Sequence, residues 1–103
     1  RVPDYVIRTK ATRERPSLDG HDHAAVLTPP DFGCSQNTVG NQEALTHVMT
    51  CGDSTVTVES DDGGWFVSVG PPTGERDADE LVAAMAERIE EATGDACEWV
   101  AVA

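Results

Sequence analysis

Residues 54–69, STVTVESDDGGWFVSV, contain the clearest structural signal in the chain. The valines of the first half alternate with polar residues, and alternation of this kind is typical of a β-strand. The Asp-Asp-Gly-Gly run at residues 61–64 is typical of a tight turn. The stretch therefore predicts a β-hairpin with strands over residues 54–60 and 65–69.

The second strand of this hairpin has large apolar side chains on both faces. Trp65, Val67 and Val69 share one face, because successive residues of a strand point to opposite sides. Phe66 and Ser68 share the other. We therefore expect a central strand that is covered on both sides.

A long helix is predicted near the C-terminal end. Apolar residues recur at steps of three and four at Leu81, Val82, Met85, Ile89 and Ala92. Asp77 and Glu80 have the spacing of a capping box, and Gly94 is placed to end the helix. Glu87, Glu90 and Glu91 are expected on its outer surface.

The rest of the chain contains weaker patterns. Alternation predicts strands over residues 4–13, 21–28 and 96–102, and a stripe of apolar residues predicts a helix over residues 38–51. Residues 29–37 show no periodicity and are interpreted as a loop.

The predicted order from residue 21 onward is βαββαβ, which is the ferredoxin-like plan with two helices on one face of an antiparallel sheet. We expect an α+β fold of this type over residues 21–103. Residues 1–20 form a basic strand and turn that would extend the sheet at an edge. The predicted core consists of Val26, Leu45, Val48, Met49, Val56, Val58, Val67, Leu81, Met85, Ile89 and Val100.

The chain is strongly acidic. It has 19 Asp and Glu against 7 Lys and Arg among 103 residues, for a net charge of -12. Nucleic acids and anionic membranes are therefore poor partners. The composition resembles that of proteins from salt-loving hosts, in which acidic side chains maintain solubility in salt, and partly that of proteins from high-GC bacteria or their phages. Alternatively the acid is functional, as in a protein that imitates nucleic acid. A melting curve against salt distinguishes the two interpretations.

The sequence pattern disfavours two further classes of protein, membrane proteins and RNA-binding proteins. No apolar stretch approaches the ~20 residues of a membrane helix, and no signal peptide is visible, so a soluble cytoplasmic protein is expected. The RNA-recognition motif shares the element order, but its third strand needs a basic residue and stacking rings. Residues 62–69 begin with an acid and lack two of those rings.

Potential metal ligands cluster in the first half of the chain. They are His21, His23, Cys34, His47 and Cys51. These residue types, in this number, could form a four-coordinate zinc site, although no standard zinc spacing is present. The alternative is that no metal binds: Cys51 packs the end of the predicted helix against the core, His47 lies at the edge of that helix, and His21 and His23 face solvent.

The cysteines allow a further interpretation. A disulfide between Cys34 and Cys51 would contribute about 3 kcal/mol to the stability. The odd cysteine count and the expected cytoplasmic setting favour free thiols, with Cys97 buried in the last strand. A Cys34 nucleophile lacks a recognisable orienting group, and no phosphate-binding loop is present.

We therefore expect a protein that is not an enzyme and needs no cofactor. The leading hypothesis is a small acidic binding module that acts through protein contacts, as an assembly subunit, a homo-oligomer or a regulator. Its contacts are expected at Arg8, Lys10, Phe32 and Phe66. The alternative hypothesis is a zinc-binding domain that uses the His and Cys cluster.

Overall fold

The computed structural model describes residues 4–37, 46–71 and 73–102. These residues form six strands and two helices. In chain order they are β1 (Asp4–Thr9), α1 (His23–Leu27), β2 (Cys34–Gln36), β3 (Thr46–Cys51), β4 (Ser54–Asp61), β5 (Gly64–Val69), α2 (Glu75–Thr93) and β6 (Cys97–Val102). The structure therefore contains more strand than the sequence patterns predict.

All six strands form one antiparallel sheet in the order β2-β3-β4-β5-β1-β6. The predicted ferredoxin-like βαββαβ fold with an extra N-terminal strand is therefore wrong, because the sheet order and the distribution of helices differ. Residues 29–37, interpreted as a loop, contain the edge strand β2. The other errors lie in two segments whose short apolar runs are compatible with either helix or strand.

The first of these segments is residues 21–28, which were predicted as a strand and contain α1. The Asp22 carboxylate caps this helix by accepting a hydrogen bond from the backbone N–H of Ala25 (3.3 Å). At the other end, Arg88 of α2 donates to the backbone carbonyls of Ala25 (2.7 Å) and Val26 (3.0 Å). A distant arginine thus satisfies carbonyls that a short helix leaves without partners.

The second segment is the predicted helix over residues 38–51. Its last six residues form strand β3, and residues 38–45 lie outside the described residues. β3 has a paired strand on each side, and Met49 lies opposite Val56 of β4. These cross-strand pairs outweigh the helical spacing of a few apolar residues.

β1 lies between β5 and β6 and not at an edge of the sheet. Tyr5 and Ile7 are 1% and 0% exposed. Gly64 allows the close approach of β5, since a Cβ there would lie 2.5 Å from the Ile7 carbonyl oxygen. The strand of residues 1–20 is therefore hydrogen-bonded on both sides to strands of residues 21–103.

The hairpin of β4 and β5 and the long helix α2 are confirmed. α2 begins two residues before Asp77, its N-cap Gly74 has no side-chain hydrogen bond, and the predicted capping box with Glu80 is wrong. Gly94 ends the helix with a φ of 77°, and its N–H donates to the carbonyl of Glu90 (2.8 Å). Neither described helix is both long and apolar enough to cross a bilayer.

Both helices pack on the same face of the sheet. The Tyr5 hydroxyl of β1 donates to Asp79 of α2 (2.6 Å). The ring of His23 in α1 lies edge-on to Trp65 of β5, with 5.9 Å between the centroids. No described element covers the opposite face.

Most of the predicted core residues that the structure describes are buried between the sheet and the helices. They are Met49, Val56, Val58, Val67, Leu81, Met85 and Ile89. Val26 is partly buried against this core. Val48 and Val100 are half-buried and belong to the opposite face, and Leu45 lies outside the described residues.

Candidate interaction surface

The face of the sheet away from the helices is called the open face below. It is formed by every second residue of the strands. In its central part the residues are Asp4, Val6 and Arg8 of β1, Thr57, Glu59 and Asp61 of β4, Phe66 and Ser68 of β5, and Glu98, Val100 and Val102 of β6.

Phe66 is at the centre of the open face. It is 37% exposed and is the one exposed large apolar side chain in the described ranges. The strand register places it beside Val6 of β1, which in turn lies beside Val100 of β6. Val6 is only 5% exposed because these neighbours flank it. The expectation that β5 is covered on both sides is therefore wrong.

Carboxylates surround Phe66. A shallow depression of about 450 Å³ contains Phe66, with Asp4, Glu59 and Asp61 in its lining. Among the residues that the structure describes, no basic side chain contributes to that lining. The depression therefore combines an exposed aromatic ring with negative charge, which suits a partner with cationic and apolar groups.

The two basic residues predicted to make contacts differ in their surroundings. Arg8 lies on the open face, and its Nε donates to the Glu98 carboxylate at 2.7 Å. Both side chains are about 30% exposed (27% and 31%), so this pair contributes about 0.2–1 kcal/mol. Lys10 is exposed in the turn after β1. The charge of Arg8 is thus compensated within the protein.

Phe32, the fourth predicted contact residue, lies on the other side of the sheet. It is half-buried and packs against the core under the helices. It also lines a groove with Leu81 of α2. The structure therefore separates Phe32 from Phe66 and does not combine them in one surface.

Two of the five predicted metal ligands are bonded to each other. Cys34 of β2 and Cys51 of β3 form a disulfide. They lie directly opposite each other in the ladder, at a position flanked by the Gly52 N–H to Gly33 carbonyl bond (3.2 Å). Their pairing is therefore non-hydrogen-bonded, which is where antiparallel strands bring side chains closest. The preference for free thiols at these two positions was wrong.

The three histidines do not converge with the cysteines. His21 is exposed in the turn before α1, whereas His23 and His47 are buried at 3% and 0% exposure. The rings of His23 and His47 lie 6.4 Å apart between centroids, inside the core. Within the described ranges no three His, Cys, Asp or Glu side chains are arranged to hold a metal ion.

Cys97, the third cysteine, is a free and buried thiol at the start of β6. Burial, together with the nearby Glu90 and Asp95 carboxylates, raises its pKa from the usual 9.0 to about 11, against a smaller opposing effect of Lys10. At neutral pH the thiol is therefore protonated and a poor nucleophile.

We expect the unreduced folded protein to react slowly with iodoacetamide at pH 8, with a rate that rises as the pH approaches 11, because the thiolate is the reactive form. Since folding favours the protonated thiol, its contribution to stability is complete below pH 9 and is lost as the pH rises through about 11. Mass spectrometry of the labelled chain measures the rate. Labelling at pH 8 as fast as in denaturant would contradict the burial of Cys97.

Sequence reasoning missed the acids around Phe66. Glu59 and Asp61 were assigned to the hairpin and its turn, and Asp4 to the start of the first strand. Their alternation with buried residues such as Val58 was the available signal for one shared face. That they meet on one surface depends on β1 lying next to β5, which the sequence did not reveal.

Comparisons with protein-family models, with curated proteins and with solved structures found no match.

Proposed function

We propose that this chain is a non-catalytic protein-binding module whose open face receives a partner with a basic surface. The observation that carries the proposal is the exposure of Phe66, at 37%, in a depression bordered by Asp4, Glu59 and Asp61. An aromatic side chain surrounded by charge resembles the anchor of a protein interface, where a few central residues dominate the affinity.

Charge complementarity argues for a basic partner. The net charge of -12 attracts cationic proteins at long range, and the carboxylates around Phe66 orient them at contact. A nucleic acid would be repelled by the same carboxylates. The partner can belong to a larger assembly or be a target that this chain regulates.

The described chemistry supports a binding role over a catalytic one. Cys34, the nucleophile considered from the sequence, is bonded to Cys51. Cys97 is buried with a raised pKa, and His23 and His47 lie in the core. A zinc site that uses Cys34 and Cys51 would require reduction of the disulfide between them, so we do not favour the zinc-binding alternative.

The disulfide also bears on the environment of the protein. Bonds such as Cys34–Cys51 persist in oxidising compartments and are rare in a reducing cytoplasm. This favours an oxidising environment over the cytoplasmic one expected from the sequence. Acids far from Phe66, such as Glu87 and Glu91 on α2, are compatible with adaptation to salt.

The proposal is tested with a blocked hexapeptide of alternating arginine and leucine, titrated into ¹⁵N-labelled protein. We expect chemical-shift changes around Phe66, and we expect Phe66→Ala to weaken binding at least about tenfold, or ~1.4 kcal/mol. The double variant Glu59→Gln/Asp61→Asn should lower both the affinity and its dependence on salt, because two carboxylates are removed.

The matched control is Glu87→Gln/Glu91→Gln, which removes the same charge from the helix side. It should lower the affinity much less than the change at Glu59 and Asp61. Equal losses in the two double variants would show that only net charge matters. Unchanged binding by Phe66→Ala would contradict the proposal.

A further inference from the structure

β6 forms one edge of the sheet, and its outer main-chain groups can be identified from the ladder. The Lys10 N–H donates to the Ala96 carbonyl (2.9 Å), which extends the β1–β6 pairing by one residue. Since hydrogen bonding alternates along an antiparallel pair, Glu98, Val100 and Val102 bond toward β1. Cys97, Trp99 and Ala101 therefore direct their N–H and C=O groups outward.

One of these outward groups is already occupied. The Cys97 N–H donates to the Glu90 carboxylate of α2 at 2.8 Å. For Trp99 and Ala101, the described residues provide no such side-chain cap. As far as the described residues are concerned, two consecutive outward positions of the edge are thus available for another strand.

This edge also lacks the features that usually prevent strand pairing. β6 reads CEWVAV, without proline, lysine or glycine. Its one charged side chain, Glu98, bonds to Arg8. By contrast, β2 at the other edge has only three residues. β6 is therefore the more favourable edge for adding a strand.

We propose that β6 pairs antiparallel with β6 of a second copy of this chain, about a two-fold axis at Val100. This register places Trp99 opposite Ala101 of the second copy, and Ala101 opposite its Trp99. Both pairs can exchange N–H and C=O groups in both directions. The outward N–H and C=O groups of Trp99 and Ala101 thus form hydrogen bonds between the two copies, and Cys97 takes no part in them.

The side chains favour the same register. Trp99 is half-buried, packed edge-on against Tyr5 at 5.7 Å between centroids, while Ala101 on the same face is exposed. A large ring and a small methyl group therefore meet in each symmetric pair. On the open face, Val100 meets its own copy and Glu98 faces Val102, so no two acids are directly opposed.

Salt distinguishes this contact from the proposed binding of a basic partner. Two chains of net charge -12 repel each other, so salt should strengthen the pairing of copies by screening the repulsion. The same salt should weaken binding of a cationic partner at Phe66. The two proposals can therefore fail independently.

The test is sedimentation equilibrium from about 10 µM to 1 mM protein, in about 0.1 M and 1 M NaCl. We expect a monomer–dimer equilibrium that shifts toward dimer at higher salt. Ala101→Pro removes an outward N–H while preserving the β1–β6 bonds, so it should lower the association constant at least about tenfold. Ala101→Ser, the matched control, retains the N–H and the small size and should dimerise like the parent.

Hydrogen exchange provides a measurement on the unchanged protein, in case Ala101→Pro does not fold. The Trp99 and Ala101 amides should exchange more slowly at 1 mM than at 10 µM protein, while the Cys97 amide should change less. A monomer at every concentration and salt, or exchange at Trp99 and Ala101 that is independent of concentration, would overturn the proposal.

Discussion

Replacement of Trp65 by alanine is expected to lower the free energy of unfolding by about 3–5 kcal/mol. The side chain is 1% exposed, and its Nε1–H donates to the Pro16 carbonyl (3.0 Å). The guanidinium carbon of Arg15 lies 5.7 Å from the ring centroid, and His23 contacts the ring edge-on. The indole therefore joins β5 to the segment after β1 and to α1, so its loss leaves a cavity and an unpaired carbonyl.

Urea unfolding followed by circular dichroism measures this loss. Trp65→Phe is the matched control, because it retains most of the ring and removes the hydrogen bond to Pro16. We expect it to cost about 1–2 kcal/mol. A loss below 1 kcal/mol for Trp65→Ala would contradict the central position of this side chain.

Removal of the disulfide, by reduction or by Cys34→Ala/Cys51→Ala, should destabilise the protein by about 3 kcal/mol. The bond closes a segment with a sequence separation of 17 and joins the edge strand β2 to β3. Without the disulfide the conformational entropy of the unfolded chain increases, and the three-residue strand β2 loses its covalent attachment to β3. The change is measured by urea unfolding with and without reductant.

Thiol counting in denaturant checks the bond itself. We expect one reactive thiol, that of Cys97, without reductant and three after reduction. Three thiols before reduction would show that Cys34 and Cys51 are not bonded. Cys97→Ala is the control variant, since it should leave the effect of reductant on stability unchanged.

The β4–β5 hairpin and α2 are predicted correctly because their contacts are local, whereas alternation predicts β1 and β6 as strands but not their pairing with each other. In the β4–β5 hairpin the turn brings neighbouring residues together, and α2 has apolar residues at helical spacing over several turns. By contrast, α1 depends on Arg88, which follows it by about sixty residues in sequence. β3 depends on strands on both sides.

The same distinction applies to the candidate site. Phe66 could be selected from sequence, because its position opposite Trp65 and Val67 in the strand marks the second face of the hairpin. The carboxylate of Asp4 could not be placed near it, since that required β1 to lie beside β5. The disulfide likewise required Cys34 and Cys51 to be opposed in neighbouring strands.

Periodicity, turn chemistry and charge were thus sufficient to identify an acidic α+β chain with one firm hairpin and one firm helix. The insertion of β1 between β5 and β6, the face that no described element covers and the position of β6 at an edge of the sheet all arise from pairings between distant segments. Such pairings are selected by the fit of whole surfaces. A short apolar run carries too little information to specify that fit.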